Sequence, residues 1–393
     1  MCKKTFNGIF RIFKREVWLF AHRPMFLFCV IIAPIVCLIF MTTLMHEGLP
    51  TNLPAGLVDM DDTHITRIMG RVIDSFEETD IVAHYPNFYE ARKAMQRGKI
   101  YAFFYVPKGT TIKALSGKQP TISFYTNEAY LVPGTLLMKE MRTSGELAHL
   151  ALTRETLYMK GFTEDQALAI IRPIVVEGHA INNPTLNYSV YLNNIVLPGI
   201  LILLILLTTT YSIGYEWKQG TQNEWFRLAH KSIPVALIGK LLPQTIIFCT
   251  MMTLYDVVFF KYLHYPCHCG IWMMLAVGNL TVLASQAFGV FFFGLFTGFM
   301  RLAMCLSALW GILSFSLAGF TYPVTAMNPV FSALAYLFPL RHYYLLYVNQ
   351  ALDGNSLIYA WPSVLSLFLF LLLPLFVMFR YRLAFRRDYK YIP

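Results

Sequence analysis

The sequence is short of charge: Asp, Glu, Lys and Arg supply 14% of its 393 residues, against about 25% in soluble domains. The shortage is concentrated, since Met25–Met45, Ile195–Ile213 and Leu357–Phe379 hold no charged residue at all. Each run is close to the roughly 20 residues that a helix needs to cross a hydrocarbon core, and none shows the polar stripe of a helix lying on a soluble core. A soluble fold is excluded. Catalytic signatures are missing as well. Gly117-Lys118-Gln119 and Gly239-Lys240-Leu241 lie outside the G-x-x-x-x-G-K-[ST] frame, so there is no phosphate-binding loop. Neither H-E-x-x-H nor G-x-S-x-G occurs. The seven cysteines (Cys2, Cys29, Cys37, Cys249, Cys267, Cys269 and Cys305) are scattered and imply no disulfide framework. Cys267-His268-Cys269 has ligand chemistry but no second cluster near it in sequence, so no metal is expected.

What is present is a basic chain with an uneven charge distribution. The formal net charge is +10, while residues 47–190 hold 14 Lys/Arg against 16 Asp/Glu. The excess therefore sits beside the apolar runs, as the positive-inside rule requires, and not in a nucleic-acid-binding patch. Residues 1–23 form an amphipathic interfacial helix, with Phe6, Ile9, Phe10, Phe13, Val17 and Phe20 on one side and Lys3, Lys4, Arg11, Lys14 and Arg15 on the other. Six spans follow: residues 24–45 with a kink at Pro34, then Tyr191–Gly214, Ile233–Tyr262 interrupted by Pro243, Ile271–Phe299, Leu302–Phe320 and Leu357–Phe379. The first is read as an uncleaved anchor, because the run is too long for a signal peptide and no A-x-A-like site follows.

Residues 46–190 have ordinary charge density and read as an α+β domain. Strands are expected at Ala55–Asp59, Ala102–Val106 and Thr121–Thr126, and helices at Ile65–Glu78, Phe88–Gly98, Gly134–Lys160 and Thr163–Val176. Lys218, Arg227, Lys231 and Arg301 fall in one set of loops, and the tail 380–393 carries Arg380, Arg382, Arg386, Arg387 and Lys390. Both termini are therefore expected in the cytoplasm and the inserted domain outside it. The fold class is an α-helical polytopic membrane protein with an inserted α+β extracytoplasmic domain.

Three stretches rise above this background. Glu216–Arg227, within a loop segment near 216–231, reads as a short amphipathic helix whose aromatics and acids suit a groove on a soluble partner. Residues 319–345 are apolar yet broken by Gly319, Pro323, Pro329 and Pro339, which suits a re-entrant segment. Asp256, Gln244, Asn279 and Gln286 are polar groups inside spans, and an intramembrane carboxylate is by default a functional candidate.

Together these stretches resemble the ABC-2 type permease family, in its long-loop branch, over nearly the whole chain. The family's E-x-E-x-G-T element is matched by Glu216, Gly220 and Thr221, with Lys218 in place of the second acid. Gly239–Pro243 is similar to the start of the family's third helix, and Gly319-Phe320, Pro323, Met327, Pro339-Leu340 and Tyr343 to its outer segment. Asp59-Met60-Asp61-Asp62-Thr63 resembles the branch's D-x-D-x-S, and Gly98–Pro107 a later motif.

The resemblance implies a type V exporter-like fold and a division of labour. This chain would be no enzyme, and ATP and Mg would be bound by a separate nucleotide-binding subunit. That subunit would push on a coupling helix drawn from Glu216, Lys218, Gly220, Thr221, Glu224, Trp225 and Arg227. Gly319, Phe320, Pro323, Met327, Pro339 and Tyr343 would form a re-entrant outer gate. A second permease chain would pair with this one in a bacterial inner membrane, with a periplasmic adaptor and outer-membrane channel as further partners. An amphipathic, drug-like or lipid-like substrate would move outward. A membrane-anchored sensor or binding protein using residues 46–190 is the alternative, and a membrane-bound enzyme lacks the cluster of His, Asp or Ser that it would need.

Overall fold

Apolar runs bounded by turn residues make the sheet of the inserted unit. The computed structural model describes residues 2–116, 118–159, 161–171 and 178–386, and its contacts divide the chain into Leu49–His179 on one hand and Met1–Gly48 with Ala180–Pro393 on the other. In the first unit, β1 (Leu53–Asp59), β2 (Thr79–His84), β3 (Ala102–Val106) and β4 (Ser123–Thr126) form one sheet in the order β2-β1-β3-β4. β1 runs parallel to β2 and β3, while β4 is antiparallel to β3. Leu57, Phe104 and Val106 pack on Ile73 and Met141 on one side, and Val58 and Phe103 pack on Ala91, Ala94 and Ile100 on the other. Covering both faces is why these strands read as unbroken apolar runs.

Helices His64–Asp74, Phe88–Gln96, Thr110–Leu115, Leu131–Met159 and Glu164–Ile171 complete the unit. The expected Ile65–Glu78 helix stops four residues early, because Thr79–His84 is a strand that the sequence reading did not anticipate. The expected ends at Lys160 and Val176 fall outside the described residues, as do Gly117 and tail residues 387–393.

The Asp59–Thr63 motif proves to be a set of caps. Asp59 Oδ1 accepts the backbone N–H groups of Asp61 and Asp62, and its Oδ2 accepts the Thr66 hydroxyl at 2.6 Å. Asp61 accepts the N–H groups of Gly109 at 2.7 Å and Thr111 at 2.8 Å. Thr63 forms a capping box with Thr66 at the head of His64–Asp74. Hydrogen bonds from Thr111, with a further one from Gly109, hold the Asp61 carboxyl below the usual carboxylate range.

In the second unit, six helices are long and apolar enough to cross a membrane: Pro24–Leu44, Ser189–Lys218, Ile233–Tyr262, Ile271–Leu295, Met300–Leu317 and Trp361–Phe385, numbered here spans 1 to 6. Spans 2, 3 and 4 are mostly buried, while spans 1, 5 and 6 leave most of their apolar surface outward. Neither the expected kink at Pro34 nor the expected interruption at Pro243 breaks its span. Span 1 takes up Pro34 through a π-helical turn at Phe28–Ile32, and the helix Ile233–Val257 runs through Pro243 unbroken. Span 2 reaches Lys218, four residues beyond its expected end, and the helical part of span 6 starts at Trp361 after a 3₁₀ turn at Leu357–Tyr359.

Between spans 5 and 6 the chain is broken as its prolines require: a 3₁₀ turn Val324–Ala326, helices Pro329–Ala335 and Pro339–Leu346, and a π-helical turn Tyr347–Leu352. The helix Pro339–Leu346 is buried among the spans, where Leu340, Tyr343 and Leu346 join Leu201, Phe288 and Leu367 in the core. Its backbone at this depth is covered by protein, the condition for irregular structure inside a bilayer.

Candidate functional site

A lysine in an apolar helix must either reach water or find an acid. Lys240, on span 3, is 2% exposed. Its Nζ donates to Glu216 Oε1 at 2.7 Å and to Glu16 Oε2 at 3.0 Å. Arg15 donates to both Glu216 oxygens, at 2.9 and 3.0 Å, and to Glu16 at 3.0 Å. Two cations and two carboxylates thus form a neutral quartet joining the N-terminal helix (Cys2–Ala21), span 2 and span 3. Burial works against the Arg15 charge, but its hydrogen bonds to Glu216 outweigh this and move the guanidinium further from deprotonation. Removing one member would strand buried charge, at a cost of about 3–5 kcal/mol.

Two close approaches bring the N-terminal helix near enough. A Cβ on Gly239 would lie 3.0 Å from Ile12 and 3.1 Å from the Ile9 carbonyl, and one on Gly8 would lie 3.2 Å from Val235. The helix therefore presents Gly8, Ile12 and Glu16, spaced by four, to its own protein. Phe6, Phe10, Val17 and Trp18 remain exposed as a separate apolar face, which suits a membrane interface.

The E-x-x-x-G-T sequence now has a physical account. Span 2 ends in a Schellman turn: Thr221 N–H donates to the Glu216 carbonyl at 2.9 Å and Gly220 N–H to the Trp217 carbonyl at 3.2 Å. Gly220 sits at φ +69°, where a side chain is strained. The turn folds Thr221 back so that its hydroxyl donates to Glu216 Oε2 at 2.5 Å. Glu216 is thereby fixed by its own loop as well as by the quartet.

Beyond the turn lies the short helix Gln222–Leu228. Its Trp225 is fully buried, donates to the Ala236 carbonyl at 3.2 Å and has Lys240 Nζ 5.3 Å from its ring. Trp217, Trp225 and Phe226 also pack on Phe385 of span 6.

These positions correct the reading of Glu216–Arg227 as one amphipathic helix. The stretch is the end of span 2, a turn and a separate helix, and Glu216 and Trp225 point inward. Lys218, Gly220, Glu224 and Arg227 are exposed and Thr221 is half-buried. Arg15, Glu16 and Lys240 were not marked as site residues from sequence. The readable signals were a lone lysine within an apolar run and the single acid of residues 1–23.

The other candidates separate into two places. Gln244, one turn beyond Lys240, donates to Thr209 at 3.3 Å, and Gln286 accepts from Thr245 at 2.7 Å. Asn279 only bonds back to the Leu275 carbonyl of its own helix. Asp256 stands apart, sixteen residues further along span 3, where Lys240, Gln244, Phe248, Met252, Tyr255 and Asp256 are all buried. It is fully buried despite lying near the end of the helix, and neither carboxyl oxygen has a hydrogen-bond partner among the described residues. Span 4 comes close here, since a Cβ on Gly278 would lie 3.0 Å from Asp256 Oδ2.

Of the broken segment, Pro339 and Tyr343 are buried, Phe320 and Met327 half-buried and Pro323 exposed. Gly319, at φ +99°, leaves room for Arg341, which donates to the Ala318 carbonyl at 3.2 Å. Cys267 and Cys269 place their sulfurs 4.0 Å apart, and no group of three or more potential metal ligands occurs among the described residues.

A family model described as ABC-2 family transporter protein matches residues 24–380. Neither the curated proteins nor the solved structures contain a match to the chain.

Proposed function

The chain belongs to the ABC-2 family of transporter proteins, and on that premise we propose that it is the membrane-spanning subunit of an ATP-driven exporter. A separate nucleotide-binding subunit, holding ATP and Mg, docks on the exposed side of Gln222–Leu228 through Lys218, Glu224 and Arg227. The quartet carries the reading. Pressure on this short helix reaches span 3 through Trp225 and span 2 through the Gly220 turn, and Lys240, Glu216, Glu16 and Arg15 make these elements and the N-terminal helix move together. Lys218, the departure from the family element, lies on the docking side and so bears on partner choice and not on the quartet.

The substrate is amphipathic or lipid-like and leaves the cytoplasm along the spans, with the helix Pro339–Leu346 and Tyr343 as the gate at the far side. Hydrogen-bonding atoms of Gln244, Gln286, Asp256 and Tyr343 have no partner among the described residues, which suits surfaces that meet a second chain, water or substrate during the cycle. The second chain is another permease subunit. The inserted unit is extracytoplasmic in this reading, with an adaptor and an outer-membrane channel as its partners in a bacterial inner membrane.

One observation favours the sensor reading. The inserted unit has a cavity of about 610 Å³ lined by Asp59, His64, Arg67, Arg71, His84 and Tyr85, large enough for a small polar ligand.

Affinity purification of the tagged chain from native membranes in mild detergent decides between them. The exporter reading expects a soluble ATPase subunit to co-elute with wild type and to be lost from a Glu224→Lys/Arg227→Glu variant. Recovery of no ATPase after crosslinking would move the account to a sensor.

A further inference from the structure

The second cavity of interest lies where the short helix meets the ends of two spans. It measures about 750 Å³, and Arg227, Lys231 and Arg382 line it with Phe226, Pro234 and Phe385. No lining residue is acidic, and none of the three cations has a carboxylate partner among the described residues. Exposed basic side chains are ordinarily no more than a solvated face. Three further observations separate this group from that case.

The first is convergence. Arg227 comes from the short helix, Lys231 from the following turn and Arg382 from the last turns of span 6, so three elements aim like charges at one hollow. Like charges at close range repel unless an anion sits among them. The second is backbone strain. His230 and Lys231 are consecutive non-glycine residues in the left-handed region, at φ +52° and +61°. Lys231 N–H donates to the Phe226 carbonyl and Ser232 N–H to that of Ala229, both at 3.0 Å, which locks the turn and Lys231 with it. Strain held in this way collects at binding sites.

The third is depth. Ile233 begins span 3 and Phe385 ends span 6, so the cavity lies at the boundary between hydrocarbon and headgroups. Phe226, Ile233, Pro234 and Phe385 line it beside the cations, with Phe226 and Phe385 stacked at 4.3 Å. Cations beside apolar side chains at that level match a phosphate carried on acyl chains better than a hydrated protein carboxylate. Glu224, the acid of the short helix, is not part of the lining.

We propose that this cavity holds the headgroup phosphate of an anionic phospholipid, with Lys231 and Arg382 as its principal contacts and Phe226, Phe385 and Pro234 against the start of its acyl chains. The lipid neutralises the cluster and props the short helix against the ends of spans 3 and 6. This goes beyond the exporter reading and does not require it, because the chain alone carries all the groups.

The test uses the full chain in neutral detergent, titrated with phosphatidylglycerol or phosphatidylcholine and followed by thermal unfolding and native mass spectrometry. Wild type should retain phosphatidylglycerol and melt higher in it than in phosphatidylcholine. A Lys231→Gln/Arg382→Gln variant should melt like wild type in phosphatidylcholine, which shows that it folds, and hold phosphatidylglycerol roughly tenfold or more less tightly. Lys231→Arg, which keeps the charge, should retain the preference. An unchanged phosphatidylglycerol preference in the double variant would overturn the proposal. So would an equal rise in melting temperature from soluble glycerol phosphate, which would assign the cavity to a free phosphate. Loss of a co-purifying ATPase by the double variant, with its lipid preference intact, would make the cavity a protein dock and overturn it as well.

Discussion

Lys240 and Asp256 lie on one helix, sixteen residues and about 24 Å apart along its axis, and both are almost completely buried. The protein treats them in opposite ways. Lys240 is met by two carboxylates, which Arg15 balances in turn, with every donor–acceptor distance between 2.7 and 3.0 Å. Asp256 lies against Gly278, with no donor on either oxygen among the described residues. A buried charge that is fully paired holds a structure in one arrangement. A buried carboxyl left unpartnered adds nothing to that arrangement, and an intramembrane acid of this kind is a functional candidate. One end of span 3 is therefore fixed by paired charges, and the other holds a carboxyl with no partner among the described residues.

The largest effect should come from breaking the paired end. Lys240→Met leaves Glu16 and Glu216 with Arg15 alone, and should lower unfolding stability by about 3–5 kcal/mol in denaturant titrations of the detergent-solubilised chain. A loss under about 1 kcal/mol would mean that the quartet is solvated and the contrast with Asp256 false. Next is the turn that aims Glu216. Gly220→Ala puts a side chain at φ +69° and should cost about 1–2 kcal/mol by the same titration, while Gly220→Asn, which tolerates that region, should recover most of it.

At the unpartnered end the order reverses. Asp256→Asn should change stability by less than about 1 kcal/mol and yet abolish substrate movement in proteoliposomes carrying the partner ATPase. Full transport by that variant would leave Asp256 with no role. The smallest effect belongs to a carboxylate that is partnered but in water. Asp61 is held below the usual carboxylate range by Thr111 and Gly109, so its caps are intact above about pH 4. They are lost as pH falls through the depressed value. Hydrogen exchange at the Gly109 and Thr111 amides should therefore quicken relative to the rest of the unit toward pH 3, and Asp61→Asn should remove that step.

The spans were legible because hydrocarbon demands long uncharged runs, and Ile233–Tyr262 was read to the residue. Other ends moved where a helix continued past the last apolar residue, as at Tyr215–Lys218. Strand β2 was missed because Thr79–His84 mixes charge with apolar residues, as a partly exposed edge strand does. Glu216, Gly220 and Thr221 were visible as a motif. That Glu216 turns inward was not, because its partners Arg15 and Lys240 lie 201 and 24 residues away. Asp256 was visible as an intramembrane acid, but its complete burial depends on the approach of Gly278, which no periodicity announces.

The measurement that bears most directly on the quartet is a double-mutant cycle: unfolding of wild type, Glu216→Gln, Lys240→Met and the double variant under one set of conditions. The account predicts that the double variant is more stable than the sum of the single losses allows, by at least about 1 kcal/mol. Strict additivity would show that Lys240 and Glu216 do not hold one another, and the link between the short helix and the spans would have to be sought elsewhere.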